Sequence, residues 1–150
     1  MKKSLLASIT FALAAPLLMA NANAQAFGKA QDAIDYRQGA FQIMKAHFGA
    51  LQPVVKGQIP YDEAMVLANV QILDQVSKLP WKAFGPGTEG GDALDDIWLD
   101  EDGFKAAQTK YLDSLGPLTA AAKEGSLDKL KAAFVETGAS CKACHDSFRD

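Results

Sequence analysis

The chain has 150 residues, 49% hydrophobic and 22% charged, with a formal net charge of −3 and no internal repeat or low-complexity tract. Residues 1–24 hold two lysines and no acid, so the 126 residues that follow carry −5. That balance argues against a nucleic-acid partner or an anionic membrane surface, and the length is that of one domain around one core.

The N-terminus has the form of an export signal. A basic start, Met1-Lys2-Lys3, precedes an almost unbroken apolar run from Leu5 to Ala20, and Ala22-Asn23-Ala24 is a small-x-small cleavage site. The run is shorter than the ~20 residues of a spanning helix and Pro16 interrupts it, so no membrane span is expected after cleavage. The reading is a cleaved signal peptide over 1–24 and an exported, periplasmic domain over 25–150.

The domain reads as four helices. From Phe27 to about Val55 the apolar residues Phe27, Ala30, Ile34, Phe41, Met44, Phe48 and Leu51 recur at helical steps, and Gly57 and Pro60 end the segment. Asp62 is an N-cap for a second helix with a stripe at Met65, Ala68, Ile72, Val76 and Leu79, stopped by Pro80. Residues 81–99 contain "GPGTEGGD" and read as a crossover, with Trp81 and Trp98 as packing residues. Asp100 caps a third helix with Phe104, Ala107, Tyr111, Leu115, Leu118 and Ala122 on one face, and Gly116-Pro117 predicts a kink or local defect in it. After Gly125, Ser126 caps a fourth helix with Leu127, Leu130, Phe134, Cys141, Cys144, His145 and Phe148 in line. With no alternating segment of useful length, the fold class is all-α, an antiparallel four-helix bundle.

The two cysteines of the chain stand in "CKACH" at 141–145. A disulfide closing so short a loop constrains little of the unfolded chain. A thioredoxin-like CxxC would sit near a βαβ pattern. Zinc wants about four ligands, and these residues supply three, with His47 remote in sequence. CxxC followed by His is the pattern of c-type haem attachment. On a helix, Cys141, Cys144 and His145 share one face, and the stripe of Leu130 and Phe134 turns that face into the bundle. Haem c would then be bonded to the two thiols and ligated by His145, near the C-terminal end of helix four.

A signal peptide, four helices and a C-terminal CxxCH resemble the class II c-type cytochromes, and specifically the cytochrome c′ family. The resemblance extends through "YRQGAFQIMKAHFG", "PVVKGQIPYD", "LPWKAFGPGTEGGD" and "GASCKACHDSFR", covering essentially 27–149. It implies that His145 is the axial iron ligand, that Cys141 and Cys144 form the thioethers, that Arg149 lies beside the proximal haem face, and that Arg37 and Gln38 lie near the propionates. For Arg37, a solvated surface charge is the competing reading. The family is commonly a homodimer through its first two helices.

The sixth ligand separates electron carriers from gas binders. Low-spin class II relatives place a methionine four residues after the arginine of the first helix, and here that position is Phe41, whose ring has no lone pair. The expectation is a five-coordinate, high-spin haem behind a dry aromatic wall with no hydrogen-bond donor. O₂ would be disfavoured, NO bound, and CO bound weakly or slowly because of the Phe41 ring. The alternative is a low-spin electron-transfer cytochrome of the c556 type closed by Met44. His47 is ~240° around the helix from Phe41 and faces elsewhere. No nucleophile–base set is visible, so the chain reads as a gas-binding and electron-transfer protein with redox partner proteins, and not as an enzyme.

Overall fold

The computed structural model describes residues 27–150; the proposed signal peptide at 1–24 lies outside the described residues. Four long helices carry the fold: α1 (Ala30–Val55), α2 (Glu63–Val76), α4 (Glu101–Lys123) and α5 (Leu127–Phe148). Between α2 and α4 runs a crossover with a 3₁₀ turn, Pro80–Ala83, and a one-turn helix α3, Asp96–Leu99. The described residues contain no strand, only an isolated bridge between Ala93 and Arg149.

Local chemistry sets the helix ends. The Asp62 carboxylate accepts from the Met65 amide at 2.9 Å and Asp100 from the Gly103 amide at 3.0 Å, so each side chain satisfies an amide that has no partner within its helix. Ser126 does the same for Lys129 at 3.4 Å. Gly125 adopts φ 65°, a left-handed conformation that glycine enters without a Cβ clash, and the chain folds back so that the Ser126 amide reaches the Ala121 carbonyl at 3.2 Å. The first helix starts at Ala30 rather than at Phe27; Phe27 instead lays its ring against Tyr36, centroids 5.2 Å apart. Helix α4 passes through Pro117 unbroken, because Gly116 and Pro117 lie on its exposed side, where the carbonyl that loses its amide partner meets water.

The core is an aliphatic plug. Leu51 and Val54 of α1, Val66, Val70 and Leu73 of α2, Leu118 and Ala122 of α4 and Leu130 of α5 are all buried together. Helix α2 packs this plug with Val66, Val70 and Leu73, one step around from the expected stripe; Ile72 and Leu79 are 40% and 41% exposed. Apolar residues run almost around this helix, so its period defines a helix without defining which face turns inward. Helices α1 and α2 pack together, as do α4 and α5, whereas α1 meets α5 only sparsely. That gap, at the end of the bundle holding the N-terminal half of α1 and the C-terminal turns of α5, is where the cysteines lie.

Candidate functional site

The gap is a cavity of about 660 Å³. Cys141, Cys144 and His145 line it from α5, and Arg37, Gln38 and Phe41 line it from α1, with Arg149 at its edge. The seven residues singled out in the sequence thus surround one space. Met44 also lines it and is buried. His47 does not; its Nδ1 lies 2.9 Å from Asn69 Oδ1, on the contact between α1 and α2.

The phase of α5 differs from expectation. Its buried spine is Leu130, Ala133, Thr137 and Ser140, so the cysteines are half-buried and His145 is exposed at the cavity. Small polar side chains stitch this spine to α4: Thr137 Oγ1 donates to the Ser114 carbonyl at 3.3 Å, and Ser140 Oγ lies 3.4 Å from Ser114 Oγ. The small spine brings α5 close to α4 and leaves the larger thiols on the side facing α1. Phe134, two turns before Cys141, stacks flat on Phe48 of α1, centroids 4.2 Å apart, and Phe48 lines the cavity beside Gly138.

Both thiols are free. Burial, and then the neighbouring Cys144, push the Cys141 thiol up to about 11, and burial also raises Cys144. His145 moves the other way: burial and the positive charge of Arg149 lower it, against a smaller opposite pull from Asp146. At neutral pH the pair is therefore dithiol and the imidazole is neutral, with a nitrogen lone pair available to a metal. Among the described residues no group of three or more His, Cys, Asp or Glu side chains is arranged to hold a metal ion.

Arg37 is not a solvated surface charge, being 2% exposed. Its guanidinium donates to the carbonyls of Ala83 at 2.9 Å, Thr88 at 2.7 Å and Gly90 at 2.7 Å, and it lies 4.6 Å over the Phe84 ring. It binds the glycine-rich crossover to α1 and so shapes the cavity. Two residues beyond Gly90 in the same crossover, Asp92 pairs with Arg149 at 3.0 Å, and the Leu94 amide donates to the Phe148 carbonyl at 3.1 Å.

The crossover supplies more of the wall than the sequence reading allowed. Trp81 and Phe84 line the cavity with Phe104 and Tyr111 of α4. The Phe41 ring meets Trp81 edge-on at 5.8 Å and Phe84 at 6.2 Å; Phe84 meets Phe104 at 5.0 Å. Trp81 is anchored by its indole N–H on the Ser77 carbonyl at 2.6 Å. The signal available for these residues was the density of aromatics in 81–111, which exceeds what a plain connection requires.

The Cytochrome C' family model matches residues 32–149. Cytochrome c' of Alcaligenes xylosoxydans xylosoxydans is 57% identical over 123 residues, covering 82% of this chain and 97% of that protein. Cytochrome c' of Rubrivivax gelatinosus is 42% identical over 127 residues, covering 83% and 98%. A solved structure, the nitric oxide complex of a variant of cytochrome c prime from Alcaligenes xylosoxidans, matches with a TM-score of 0.81 at 56% identity, covering 83% of this chain and 98% of that one. A match across nearly the whole domain, in sequence and in fold, makes this chain a member of the cytochrome c′ family.

Proposed function

We propose that this chain is a periplasmic c-type cytochrome whose haem c is bonded to Cys141 and Cys144, ligated by His145 and open on its other side, binding NO, and CO weakly, with capacity for electron transfer. Relatives in the family carry covalently bound haem c. The residues here fit that group: a cavity within the ~300–1,000 Å³ of small-molecule sites, apolar walls, two free thiols one helical turn apart and a neutral imidazole beside them. When bound, the haem iron supplies a redox centre and a coordination position for a diatomic ligand.

The protein's own part is orientation and exclusion. Cys141 and Cys144 would hold the haem through thioethers, and His145 would hold the iron through its lone pair. Arg37, its guanidinium held by the crossover carbonyls, and the exposed Gln38 would stand near the propionates. Arg149 also lines the cavity, held by Asp92. The observation that carries the open iron is Phe41: it lines the cavity from α1, has no ligand atom, and is braced by Trp81 and Phe84. Its bulk would slow CO and so favour NO.

A second reading rests on Met44, buried one turn after Phe41 on the same cavity wall. Its sulfur as a sixth ligand would make the chain a low-spin electron carrier. The optical spectrum of the ferric and ferrous protein, before and after CO and then NO, separates the two. A broad high-spin ferrous band that shifts strongly with NO and weakly with CO is the expected result. Sharp, split low-spin bands insensitive to both gases would establish Met44 instead.

A homodimer would form through α1 and α2; the exposed apolar side chains Ile43 of α1 and Ile72 of α2, at 45% and 40%, support that reading.

A further inference from the structure

Arg37 takes a positive charge out of water, and a buried charge is costly unless hydrogen bonds replace its hydration. The bonds that do so here all go to one segment. The carbonyls of Ala83, Thr88 and Gly90 accept from the guanidinium at 2.7–2.9 Å, so one side chain ties both ends of the loop 83–90. The loop is also closed on itself: Thr88 Oγ1 donates to the Gly85 carbonyl at 2.7 Å, and the Trp98 indole N–H donates to the Phe84 carbonyl at 3.1 Å. Just beyond it the chain lies flush on α1, since a Cβ added to Gly91 would stand 2.8 Å from Gln38 Nε2. Phe84 is at the centre of this arrangement. Trp98 holds its carbonyl, the guanidinium carbon of Arg37 lies 4.6 Å from its ring centroid, and the same ring faces Phe41 at 6.2 Å and Phe104 at 5.0 Å.

We propose that Arg37 is a positioning residue: by fixing the 83–90 loop it fixes the Phe84 ring, through that ring it steadies Phe41, and so it sets how firmly the chamber resists CO. Arg37 stands about one turn before Phe41 on α1, so one helix carries both the ring that blocks and the side chain that braces it. The role calls for arginine. A guanidinium is a flat fork that reaches several carbonyls while lying over a ring, whereas a lysine ammonium keeps the charge but is a point donor without that plane. The effect on CO rests on the proposed open iron; the bracing of the two rings rests on the geometry alone.

The test mixes ferrous wild type and Arg37→Lys with CO by stopped flow, each with and without Phe41→Ala. Thr88→Val, made in the same two backgrounds, decides in its place if Arg37→Lys does not fold; Thr88 does not line the cavity, so that change loosens the loop without altering the charge or the cavity wall. The CO on-rate is expected to rise on the order of threefold in Arg37→Lys, and the rise should vanish once the Phe41 ring is gone. An on-rate that is unchanged or lower overturns the proposal. So does a rise of the same size in the Phe41→Ala background, which would mean that Arg37 acts on the haem directly. If the wild type takes up no CO, the open-iron reading fails separately, and near-UV circular dichroism of the same holoproteins decides. Weakened aromatic bands at unchanged helix content support the bracing, and bands like those of wild type overturn it.

Discussion

The two ends of the bundle are built from different materials. At the end where α1 meets the start of α2, Leu51, Val54, Val66, Leu118 and Leu130 are at most 1% exposed and interlock as branched aliphatics. At the other end, Phe41, Trp81, Phe84 and Phe104 meet mostly edge to face, with centroids 5.0–6.2 Å apart, and leave the cavity between them and α5. Aliphatic chains have enough rotamers to fill space. Planar rings braced at fixed angles make walls, and walls can stand around a space. Stability and site are therefore separated along the helix axes, and each can be disturbed with limited effect on the other.

The largest effect is expected at the aliphatic end. Leu118→Ala removes a fully buried side chain from the plug, and such deletions cost about 2–5 kcal/mol. Urea unfolding should show that loss in the midpoint at constant slope. The optical spectrum of the folded variant should match wild type. A changed spectrum would mean that the two ends are mechanically coupled, and the separation would fail.

The same division explains what was legible in the sequence. Caps and stops are local events, so Asp62, Asp100, Ser126 and Gly125 marked the helices correctly from their neighbours alone. The motif at 141–145 was only moderately specific in its own spacing and drew its weight from the export signal before it and the lack of other work for the cysteines. Helix α2 was harder. Met65, Val66, Leu67, Ala68, Val70, Ile72, Leu73 and Val76 support two stripes of the same period, and only packing against α1 and α4 selects Val66, Val70 and Leu73. Arg37 was ambiguous for a related reason: its partners are backbone carbonyls some 50 residues away, and carbonyls leave no trace in a sequence. Trp81 and Phe84 were assigned to a connection because glycines surround them, yet those glycines let the segment curl under Arg37 and turn both rings to the cavity.

A smaller effect, confined to the aromatic end, is expected from Phe41→Ala. The ring is half-buried and its neighbours Trp81 and Phe84 also pack on Phe104, so the wall stands without it. If the ring is what resists CO, the variant should bind CO at least tenfold faster or tighter, equivalent to about 1.4 kcal/mol. Stopped-flow mixing of the ferrous variant with CO measures this directly. Unchanged on-rate and affinity would remove Phe41 as the determinant and shift attention to Met44, which shares the wall.

The smallest effect tests how the aromatic end is held shut at its rim. Asp92 and Arg149 are both exposed, and an exposed ion pair contributes only about 0.2–1 kcal/mol, less in salt. Backbone bonds join the same segments: the Leu94 amide to the Phe148 carbonyl and the Asp150 amide to the Asp92 carbonyl, at 3.1 and 3.0 Å. Asp92→Ala removes the carboxylate and keeps both. Global stability should change by less than about 1 kcal/mol. Hydrogen exchange is the more sensitive probe, because a strap at the end of a helix opens locally long before the bundle unfolds. Faster exchange at the Leu94 and Asp150 amides, with the amides around Leu118 unaffected, would show that the ion pair steadies the strap while the aliphatic plug is indifferent to it. Equal acceleration at both ends would mean that the rim and the plug open as one unit.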